Sequence, residues 1–367
     1  MLYRKIFLFS CFRKKFKKQL DTGMKKILVT GGCGYIGVHT IVDLIQHGYE
    51  VISADNNSRS DAAILKGAEK ITGKKIKNYA VDLCNYAAIE KIFVENNNIE
   101  GIIHFAAYKS VSESVEKPLL YFENNIGSLI NILKCAEKYT VNHFVFSSSC
   151  TVYGNPDEIP VTETTVQKQP ESPYGATKQM GEQIVNDAVA SNNMQAILLR
   201  YFNPVGAHPS ILLGEVPLGK PANLVPVITQ TAIGKIPVMQ VYGNDYPTKD
   251  GTCLRDYIHV SDIAHAHILA LDYLISKKNK NKCEIFNLGS GDGNTVLEII
   301  NAFEKVSGTK LNYFIGQRRP GDVVAIYANN SKAKTELGWI LKYSLDEMMD
   351  TAWQWELKMK NEPVLFA

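Results

Sequence analysis

Residues 30–37 read TGGCGYIG, in which Gly31, Gly34 and Gly37 form the pattern GxxGxxG. A short apolar run before them predicts a strand, and apolar side chains recur at helical spacing over residues 36–47. Glycine permits positive φ and a close approach of the backbone to a pyrophosphate, which then meets the N–H groups at the start of the helix. A strand, a glycine turn and a helix in this order predict a dinucleotide-binding unit rather than an ordinary turn.

The acid Asp55 indicates which dinucleotide is bound. It ends the second predicted strand, about 20 residues beyond the turn, where the dinucleotide fingerprint places an acid. A carboxylate there accepts hydrogen bonds from the adenosine ribose hydroxyls and repels a 2′-phosphate, which favours NAD over NADP. Arg59 lies just beyond and is able to contact a 2′-phosphate instead, but Asp55 has more weight because it sits at the strand end itself.

Strands and helices alternate as far as residue 201. We predict strands at 26–30, 50–55, 77–81, 101–105, 143–147 and 196–201, and helices at 36–47, 62–70, 86–96, 119–139 and 174–191. This alternation is typical of a Rossmann-type, doubly wound parallel sheet, an α/β fold with helices on both faces. From residue 203, Pro, Gly and Asn become frequent and shorter elements follow. We therefore expect a dinucleotide-binding domain at 24–202 and a smaller α/β substrate lobe at 203–367, interleaved with the first.

Composition is ordinary for a folded enzyme. The chain has 367 residues, of which 45% are hydrophobic and 21% are charged, enough to bury one large core or two adjoining ones. Its apolar runs fall short of the roughly 20 residues needed to cross a bilayer, so we expect no membrane partner. The first 23 residues hold seven Lys or Arg and one acid, so the slight basicity of the chain is local and does not argue for nucleic-acid binding. We expect residues 1–23 to be a disordered extension, or the product of a start codon assigned upstream of the true one, with Met24 as the first residue of the domain.

Cysteine and histidine patterns argue against disulfides and metals. The seven cysteines form no CxxC pair and are odd in number, which favours reduced thiols in a cytoplasmic protein. His259, His265 and His267 invite a metal interpretation. His265 and His267 are two apart on a predicted helix, so they diverge, and a third ligand is not evident; we expect no metal.

Tyr174 and Lys178 form the candidate catalytic pair. They are four residues apart on a helix predicted to start after Pro173, so they share one face. A free Tyr has a pKa of about 10 and is a poor base, but a nearby ammonium and a cationic nicotinamide both favour the phenolate and lower that pKa. Ser149 closes a serine run at the end of the preceding strand and supplies a hydroxyl at the carboxyl edge, where ligands bind in such sheets.

Together these residues resemble the extended short-chain dehydrogenase/reductase superfamily, and within it the UDP-glucose 4-epimerase family. The matching stretches are ILVTGGCGYIG (27–37), IIHFAAYKSVSESVEKPLLYFENN (102–125), FVFSSSCTVYG (144–154), SPYGATK (172–178), LLRYFNPVGAHPS (198–210), GNDYPTKDGTCLRDYIHV (243–260) and FNLGSGDGNTV (286–296). They extend from Met24 almost to the C-terminus, and the stretches at 198–210 and 243–260 are long and specific.

The resemblance implies an isomerase that interconverts UDP-galactose and UDP-glucose through a 4-keto intermediate with NAD kept bound. Tyr174 is then the catalytic base and acid, Lys178 holds the nicotinamide ribose and Ser149 bonds the sugar 4-hydroxyl. The implied cofactor contacts are Gly31, Gly34, Tyr35, Ile36 and Gly37 at the pyrophosphate, Asp55 and Asn56 at the adenosine ribose, Asp82 and Leu83 at the adenine, and Phe105, Ala106 and Lys109 along the cofactor. The implied contacts to the UDP-hexose are Asn124, Ser149, Tyr174, Asn203, Asn223, Arg255, Arg319 and Asp322. Arg255 and Arg319 suit the two phosphates of UDP as paired cations.

This sequence departs from the family pattern at two positions that matter. The family often has Asn where Arg59 stands, which puts one ribose contact in question. Ile326 occupies a position where family members restricted to glucose and galactose commonly have Tyr, and members that also accept N-acetylated sugars have a smaller residue. Ile is intermediate in bulk, so the resemblance leaves open whether UDP-GlcNAc and UDP-GalNAc are accepted.

Other functions of the same fold are less well matched. A 4,6-dehydratase needs an Asp-Glu pair after the serine position, where this chain has Cys150-Thr151. A decarboxylase lacks support in the C-terminal motifs, and a uronate epimerase is a further alternative. A non-catalytic dinucleotide sensor would be expected to lose Tyr174 or Lys178, and both remain. The family also forms homodimers through a four-helix bundle of helices 119–139 and 174–191, although the residues alone fit equally well with both helices packed on the sheet.

Overall fold

The structure is a computed structural model that describes residues 24–219, 221–319 and 323–362. Two sequence-based expectations lie outside these ranges: the disordered extension at residues 1–23 and the substrate contact Asp322. Within them, strands and helices alternate through the first two hundred residues as the sequence predicts. Among the described residues, each helix is too short or too polar to cross a lipid bilayer.

A seven-stranded parallel sheet forms the centre of the fold. Its strands are β1 (Lys26–Thr30), β2 (Glu50–Ala54), β3 (Lys77–Tyr79), β4 (Ile99–His104), β5 (His143–Ser149), β6 (Gln195–Tyr201) and β11 (Cys283–Leu288). They lie in the order β11-β6-β5-β4-β1-β2-β3, and every neighbouring pair is parallel. The order reverses between β1 and β4, as in doubly wound dinucleotide-binding sheets, so the predicted fold class is confirmed.

Helices cover both faces of this sheet. The described helices are α1 (Tyr35–Gln46), α2 (Leu65–Thr72), α3 (Tyr86–Glu95), α4 (Val111–Glu116), α5 (Pro118–Lys138), α6 (Pro173–Ser191), α7 (Leu224–Ala232), α8 (Val260–Ile275), α9 (Val296–Ser307) and α10 (Leu345–Asn361). Alternate residues of a strand face opposite sides of a sheet. Accordingly Ile27 and Val29 of β1 join a core with α1 and α8, whereas Leu28 joins a second core with α3, α5 and α6.

The part of the chain after residue 203 builds smaller sheets and one strand of the large sheet. The smaller strands are β7 (Asn203–Val205), β8 (Met239–Tyr242), β9 (Leu254–Arg255), β10 (Tyr257–His259), β12 (Asn294–Thr295), β13 (Tyr313–Gly316) and β14 (Ala325–Ile326). They pair as β10 with β7, β13 with β8, and β12 and β14 on either side of β9. A third core holds residues of α7, α9 and α10.

Local residues explain where the helix that carries the candidate pair Tyr174 and Lys178 begins. Ser172 accepts a hydrogen bond from the N–H of Gly175, and Pro173 occupies the first helical position, where its missing N–H has no consequence. The predicted helix at 62–70 is instead a 3-10 turn, Ala62–Ile64, followed by α2. Asp61 accepts from the N–H of Ala63 and starts the tighter turn.

Candidate active site

The carboxyl ends of the parallel strands bring the predicted site residues to one edge of the sheet. The glycine turn follows β1, Asp55 follows β2, Asp82 follows β3, Phe105 follows β4, Ser149 ends β5 and Asn203 follows β6. In open α/β sheets, ligands bind at this edge and close to the point where the strand order reverses. The topology therefore brings residues that are far apart in sequence to one edge of the sheet.

The glycine turn allows a close approach that larger residues would prevent. Gly31 has a φ of +70°, and a Cβ built on it would lie 2.8 Å from the backbone nitrogen of Ala106 on the neighbouring strand connection. A Cβ on Gly37 would collide with the carbonyl oxygen of Gly31. Both positions require glycine, the first for its backbone conformation and the second for the packing of α1 on the turn.

The start of α1 presents backbone donors without a charge that would repel an anion. Gly34 is the N-cap and has no side chain to occupy the first N–H groups, and the first helical turn contains no acid. The positive end of the helix dipole and these N–H groups favour a phosphate. The turn therefore fits the pyrophosphate of a dinucleotide, and Tyr35 and Ile36 stand at the positions predicted to contact it.

Asp55 fixes the shape of this pocket and keeps acceptor capacity. Its Oδ2 accepts from the N–H of Cys33 at 3.0 Å, and its Oδ1 accepts from the N–H of Asn57 at 2.9 Å and the hydroxyl of Ser60 at 2.9 Å. An ionised carboxylate offers about four lone-pair sites, so Oδ2 is able to accept one further bond from a ribose hydroxyl. The carboxylate is largely buried, at 9% exposed, beside the predicted ribose contact Asn56.

Arg59 is engaged with an acid. Its Nη2 lies 2.7 Å from Oε1 of Glu113, and its guanidinium carbon lies 4.8 Å from the centre of the Tyr108 ring. The Glu113 hydrogen bond raises the pKa of Arg59, and Arg59 lowers the pKa of Glu113. A guanidinium paired in this way is a poorer partner for a 2′-phosphate than an unpaired one, which agrees with the weight given to Asp55.

Asp82 and Leu83, predicted to flank the adenine, and Phe105 and Ala106, predicted to line the cofactor, follow strands β3 and β4. Asp82 Oδ1 accepts from the N–H of Cys84 at 2.8 Å, and Leu83 is buried. The ring of Phe105 contacts the buried His267 in a tilted arrangement, with ring centres 4.6 Å apart. Ala106 lies against Gly31.

Tyr174 lies beside Ser149 where α6 meets the end of β5. A hydrogen bond with Ser149 lowers the pKa of the Tyr174 phenol, but burial has a larger effect and raises it above its usual value. Tyr201 adds to the increase. The sequence predicts that a nearby ammonium lowers the pKa of Tyr174. In the protein without its cofactor the pKa is raised instead, because burial removes water from around the phenolate and outweighs the favourable contact with Ser149.

Lys178 is buried one turn further along α6. Its Nζ donates to the backbone carbonyl oxygen of Ser147 at 2.7 Å and lies 5.8 Å from the centre of the Tyr174 ring. Burial lowers the pKa of Lys178 to about 8, and the negative charge of Glu182 acts in the opposite direction. Tyr174 and Lys178 share one face of the helix as the spacing predicts.

The predicted substrate contacts are distributed over both parts of the fold. Asn124 donates to Oδ1 of Asn125 at 3.0 Å, and Asn203 donates its N–H to the carbonyl oxygen of Asp256 at 3.0 Å. Arg255 is close enough to Cys150 to lower the pKa of its thiol, although burial raises that pKa to about 12. The structure thus brings Arg255 next to the strand end that carries Ser149.

Arg319 is less closely tied to the sheet edge. Its guanidinium carbon lies 5.3 Å from the ring centre of Tyr242, at the end of the small sheet formed by β8 and β13. Its pairing with Arg255 around a diphosphate stays a prediction, and so does the role of Asp322, which lies outside the described residues.

Sequence reasoning missed Glu215, which links the two sides of the site. Its Oε1 accepts from Nζ of Lys109 at 3.0 Å and from Nδ2 of Asn223 at 3.1 Å. Lys109 is a predicted cofactor contact and Asn223, the N-cap of α7, is a predicted substrate contact. The only sequence signal was an isolated acid shortly after the stretch at 198–210.

Tyr201 was also missed, although it lies inside a quoted family stretch. Its hydroxyl forms a hydrogen bond with the hydroxyl of Ser147, whose carbonyl holds Lys178. Tyr201 therefore lies close to Tyr174, whose pKa it raises, and reaches it from the strand next to β5. The position of Tyr201 at the end of β6, on the ligand-binding edge, is the signal that could have revealed it.

Comparisons with known proteins show what this chain is similar to as a whole. Residues 28–352 match the family model described as GDP-mannose 4,6 dehydratase. The chain is 49% identical over 336 residues to the UDP-glucose 4-epimerase of Bacillus subtilis, covering 91% of this chain and 98% of that protein. It is 48% identical to a UDP-glucose 4-epimerase of Schizosaccharomyces pombe, covering 90% of this chain and 94% of that protein. The crystal structure of the Bifidobacterium longum UDP-glucose 4-epimerase in complex with NAD+ and UDP is 46% identical, with a TM-score of 0.88 over 92% of this chain and 99% of that one.

Proposed function

The chain belongs to the UDP-glucose 4-epimerases, within the wider family whose model it matches, and from this premise we propose that it interconverts UDP-galactose and UDP-glucose with NAD kept in its glycine-turn cleft. The observation that carries the proposal is the meeting of Tyr174, Ser149 and Lys178 at the carboxyl edge of the sheet, next to that cleft. An epimerase returns the hydride to the substrate that supplied it and so regenerates the cofactor in each turnover.

NAD fits the residues that line the cleft. The glycine turn and the start of α1 suit the pyrophosphate, and Asp55 suits the adenosine ribose because its carboxylate keeps a free acceptor site. Arg59, the residue that could favour NADP, is paired with Glu113. When bound, NAD supplies a positively charged ring that favours the Tyr174 phenolate, and it accepts and returns the hydride of sugar C4.

The catalytic residues move and hold protons. We assign Tyr174 as the group that removes the proton of the sugar 4-hydroxyl and later returns a proton to the same oxygen. Ser149 donates a hydrogen bond to that oxygen, and Lys178 holds the nicotinamide ribose with the N–H bonds not used by Ser147. Because burial disfavours the phenolate in the protein alone, deprotonation of Tyr174 depends on positive charge nearby.

The UDP moiety is the anchor in this scheme. Arg255, close to Cys150, and Arg319 supply positive charge for the two phosphates, while Asn124, Asn203 and Asn223 supply amide groups. Contacts remote from the reacting carbon hold UDP while the hexose is free to present either face. Asp322 completes the family pattern of contacts.

The dehydratase reaction that gives the family model its description is not favoured. Elimination needs a carboxylate pair next to the serine position, and this chain has Cys150 and Thr151 there, in a 3-10 turn that follows β5. Burial raises the pKa of the Cys150 thiol to about 12, so it is not a substitute acid or base near neutral pH.

The second part of the proposal concerns N-acetylated substrates and rests on the size of Ile326. Strand β14 pairs with β9 so that Ile326 lies opposite Arg255, a predicted diphosphate contact. By resemblance to the family, this is the position whose bulk separates glucose-restricted members from those that accept N-acetylated sugars. Ile is smaller than the Tyr of glucose-restricted family members, so we propose that UDP-GlcNAc and UDP-GalNAc are accepted.

We further propose a cytoplasmic homodimer. Helices α5 and α6 pack side by side and leave large apolar side chains exposed, among them Leu119, Ile130 and Met180. Exposed apolar groups that cluster on adjacent helices are typical of a protein interface. The six cysteines among the described residues are all free thiols, as a reducing compartment favours. Light scattering of the purified protein, compared with Ile130→Glu, tests the dimer.

The test of the proposed activity is an assay of purified protein with UDP-galactose and no added cofactor. We expect UDP-glucose to form at a steady rate without net reduction of NAD, because the cofactor is regenerated. A 4-keto-6-deoxy product would instead support a dehydratase, and turnover of UDP-glucuronate alone would support a uronate epimerase. Absence of turnover after NAD is supplied would overturn the assignment.

A further inference from the structure

A cluster of metal-binding residues lies away from the catalytic cleft, where α1 packs on α8. Asp43 is near the C-terminal end of α1, His47 follows that helix by one residue, and His265 lies on α8. One ligand atom of each residue lies within 4.8 Å of the other two. Among the described residues, this is the only group of three such side chains with that spacing. We propose that these residues form a binding site for a divalent transition-metal ion, with Zn2+ as the best match.

The geometry requires only small movements. Nδ1 of His265 lies 2.9 Å from Oδ2 of Asp43, and Nδ1 of His47 lies 3.2 Å from Oδ1 of the same carboxylate. In a tetrahedral zinc site with bonds of about 2.0–2.2 Å, the ligand atoms lie about 3.3–3.6 Å apart. The three ligand atoms here all lie within 4.8 Å of one another. The widest pair therefore has to close by no more than about 1.5 Å, which rotations of the side chains allow.

The ligand types select the class of metal. Two imidazoles and one carboxylate suit Zn2+, Ni2+ or Cu2+, whereas Mg2+ and Ca2+ prefer sets of oxygen ligands. Asp43 and His47 are separated by four residues and project from the same face of α1. His265 completes the set from another helix, so a bound ion would cross-link α1, which begins at the glycine turn, with α8.

The sequence argument against a metal compared His265 only with its neighbours in the chain. His259 stacks on Tyr343 with ring centres 3.9 Å apart, and Nδ1 of His267 lies 2.8 Å from the carbonyl oxygen of Ile263. Neither takes part in the cluster. Helix packing instead supplies Asp43, which is 222 residues away from His265 in the chain.

The site is accessible to an ion. The side chains of Asp43 and His265 are 20% and 23% exposed, and that of His47 is 43% exposed. A partly exposed site has an entry path, and its partial burial holds two of the three ligands in place. His47→Ala changes an exposed side chain after the helix end, so it is the variant least able to disturb folding.

The test is calorimetric titration of the full chain, with its NAD as purified, with Zn2+ and then with Mg2+. We expect one equivalent of Zn2+ to bind and to raise the melting temperature, and Mg2+ to do neither. His47→Ala, Asp43→Asn and His265→Ala should each weaken Zn2+ binding at least about tenfold. His143→Ala is the matched control, because His143 faces a single carboxylate, Glu100, with Nδ1–Oε1 at 3.3 Å.

Thiols require a separate control. The Cys84 residue as a whole is exposed, but its sulfur is partly buried. This burial raises the pKa of the thiol to about 11, so the thiol is a weak metal ligand near neutral pH. Cys84→Ser should leave the single binding event unchanged. Equal Zn2+ affinity in the wild type and all three cluster variants, or failure of the wild type to show a saturable site, would overturn the proposal without affecting the epimerase assignment.

Discussion

Lys178 donates from its buried Nζ to the backbone carbonyl oxygen of Ser147 at 2.7 Å. This bond ties α6 to the end of β5, two residues before Ser149, and so fixes Lys178 relative to Ser149, two residues to which we assign catalytic roles. Burial lowers the pKa of Lys178 to about 8, against a usual value near 10.4. A positive charge held in this buried position destabilises the folded state.

Lys178→Met is therefore expected to stabilise the fold at neutral pH. The pKa of the lysine is lower in the folded state than in the unfolded state, so its destabilising effect is complete below pH 8 and disappears as the pH approaches 10.4. We expect the free energy of unfolding to rise by about 2–3 kcal/mol at pH 7 and the gain to vanish near pH 10. Urea denaturation of nucleotide-free protein across this range measures it.

Lys282→Met is the control for this experiment. Lys282 also donates to a backbone carbonyl oxygen, that of Asn192 at 2.8 Å, but it is exposed. Its replacement should change the free energy of unfolding by less than about 0.5 kcal/mol at every pH. If Lys178→Met is as neutral as Lys282→Met, the lysine is not held in a costly environment.

Tyr174→Phe should abolish most of the turnover while leaving the fold and UDP binding nearly unchanged. Phe keeps the ring and loses the hydroxyl that exchanges a proton with the sugar, so we expect kcat to fall by about 10²–10⁴-fold. Tyr201→Phe removes a hydroxyl bonded to Ser147 rather than one bonded to Ser149, and should cost much less. Initial rates with UDP-galactose and the affinity for UDP distinguish the two. A rate for Tyr174→Phe within tenfold of wild type would exclude the proposed role.

Ile326 is expected to control the choice between plain and N-acetylated sugars. Its side chain is buried opposite Arg255, so added bulk has little space. Ile326→Tyr should lower kcat/KM for UDP-GlcNAc relative to UDP-glucose by about 10–200-fold, and Ile326→Gly should change the ratio in the opposite direction. Both ratios come from the same coupled assay. If neither substitution alters the ratio, the N-acetyl group binds elsewhere.

Local patterns in the sequence were sufficient to predict six of the seven strands of the large sheet. The glycine turn, Asp55 and the Tyr174–Lys178 pair are each defined by neighbours within a few residues, and the parallel topology then places them on one edge. The strand β11 was not predicted, because a short buried strand far along the chain carries no signal of which sheet it joins.

Contacts between distant segments could not be read from the sequence. Glu215 meets Lys109 from 106 residues away, and Asp43 meets His265 from 222 residues away. Neither acid has a distinctive local pattern, and the packing of helices and loops decides the partner. The increase in the pKa of Tyr174 was not predicted for the same reason. It results from burial of the phenol, which the presence of Lys178 four residues later in the sequence does not reveal.

Glu215→Gln should weaken the binding of both NAD and the UDP-sugar. Oε1 of Glu215 accepts hydrogen bonds from Lys109, a predicted cofactor contact, and from Asn223, a predicted substrate contact. The glutamine side chain keeps the size of glutamate but cannot form the ion pair with Lys109. Because Lys109 is 59% exposed, we expect only about 3–10-fold increases in KM for the UDP-sugar and in Kd for NAD. Glu113→Gln, the partner of Arg59, should affect NAD alone. An unchanged KM for the UDP-sugar in Glu215→Gln would show that the two sides are not linked.

Breaking the buried ion pair of Glu182 and Arg200 should cost more unfolding free energy than breaking an exposed ion pair. Arg200 donates from Nε to Oε1 at 2.8 Å and from Nη2 to Oε2 at 2.6 Å, and the two side chains are 2% and 7% exposed. Glu182 lies one turn beyond Lys178 on α6, so this pair joins the catalytic helix to β6. Arg200→Met leaves a buried carboxylate without its cation, which we expect to cost about 3–5 kcal/mol of unfolding free energy.

The double variant Glu182→Leu/Arg200→Met separates the value of the pair from the cost of an orphaned charge. Replacing both charges with apolar side chains removes the uncompensated carboxylate, so much of the lost stability should return. Activity should not return to the same extent, because the negative charge that raises the pKa of Lys178 is gone. Lys305→Met breaks an exposed pair with Asp346 and should cost less than about 1 kcal/mol. Urea denaturation and kcat, measured on all three variants, would contradict this account if Arg200→Met proved as mild as Lys305→Met.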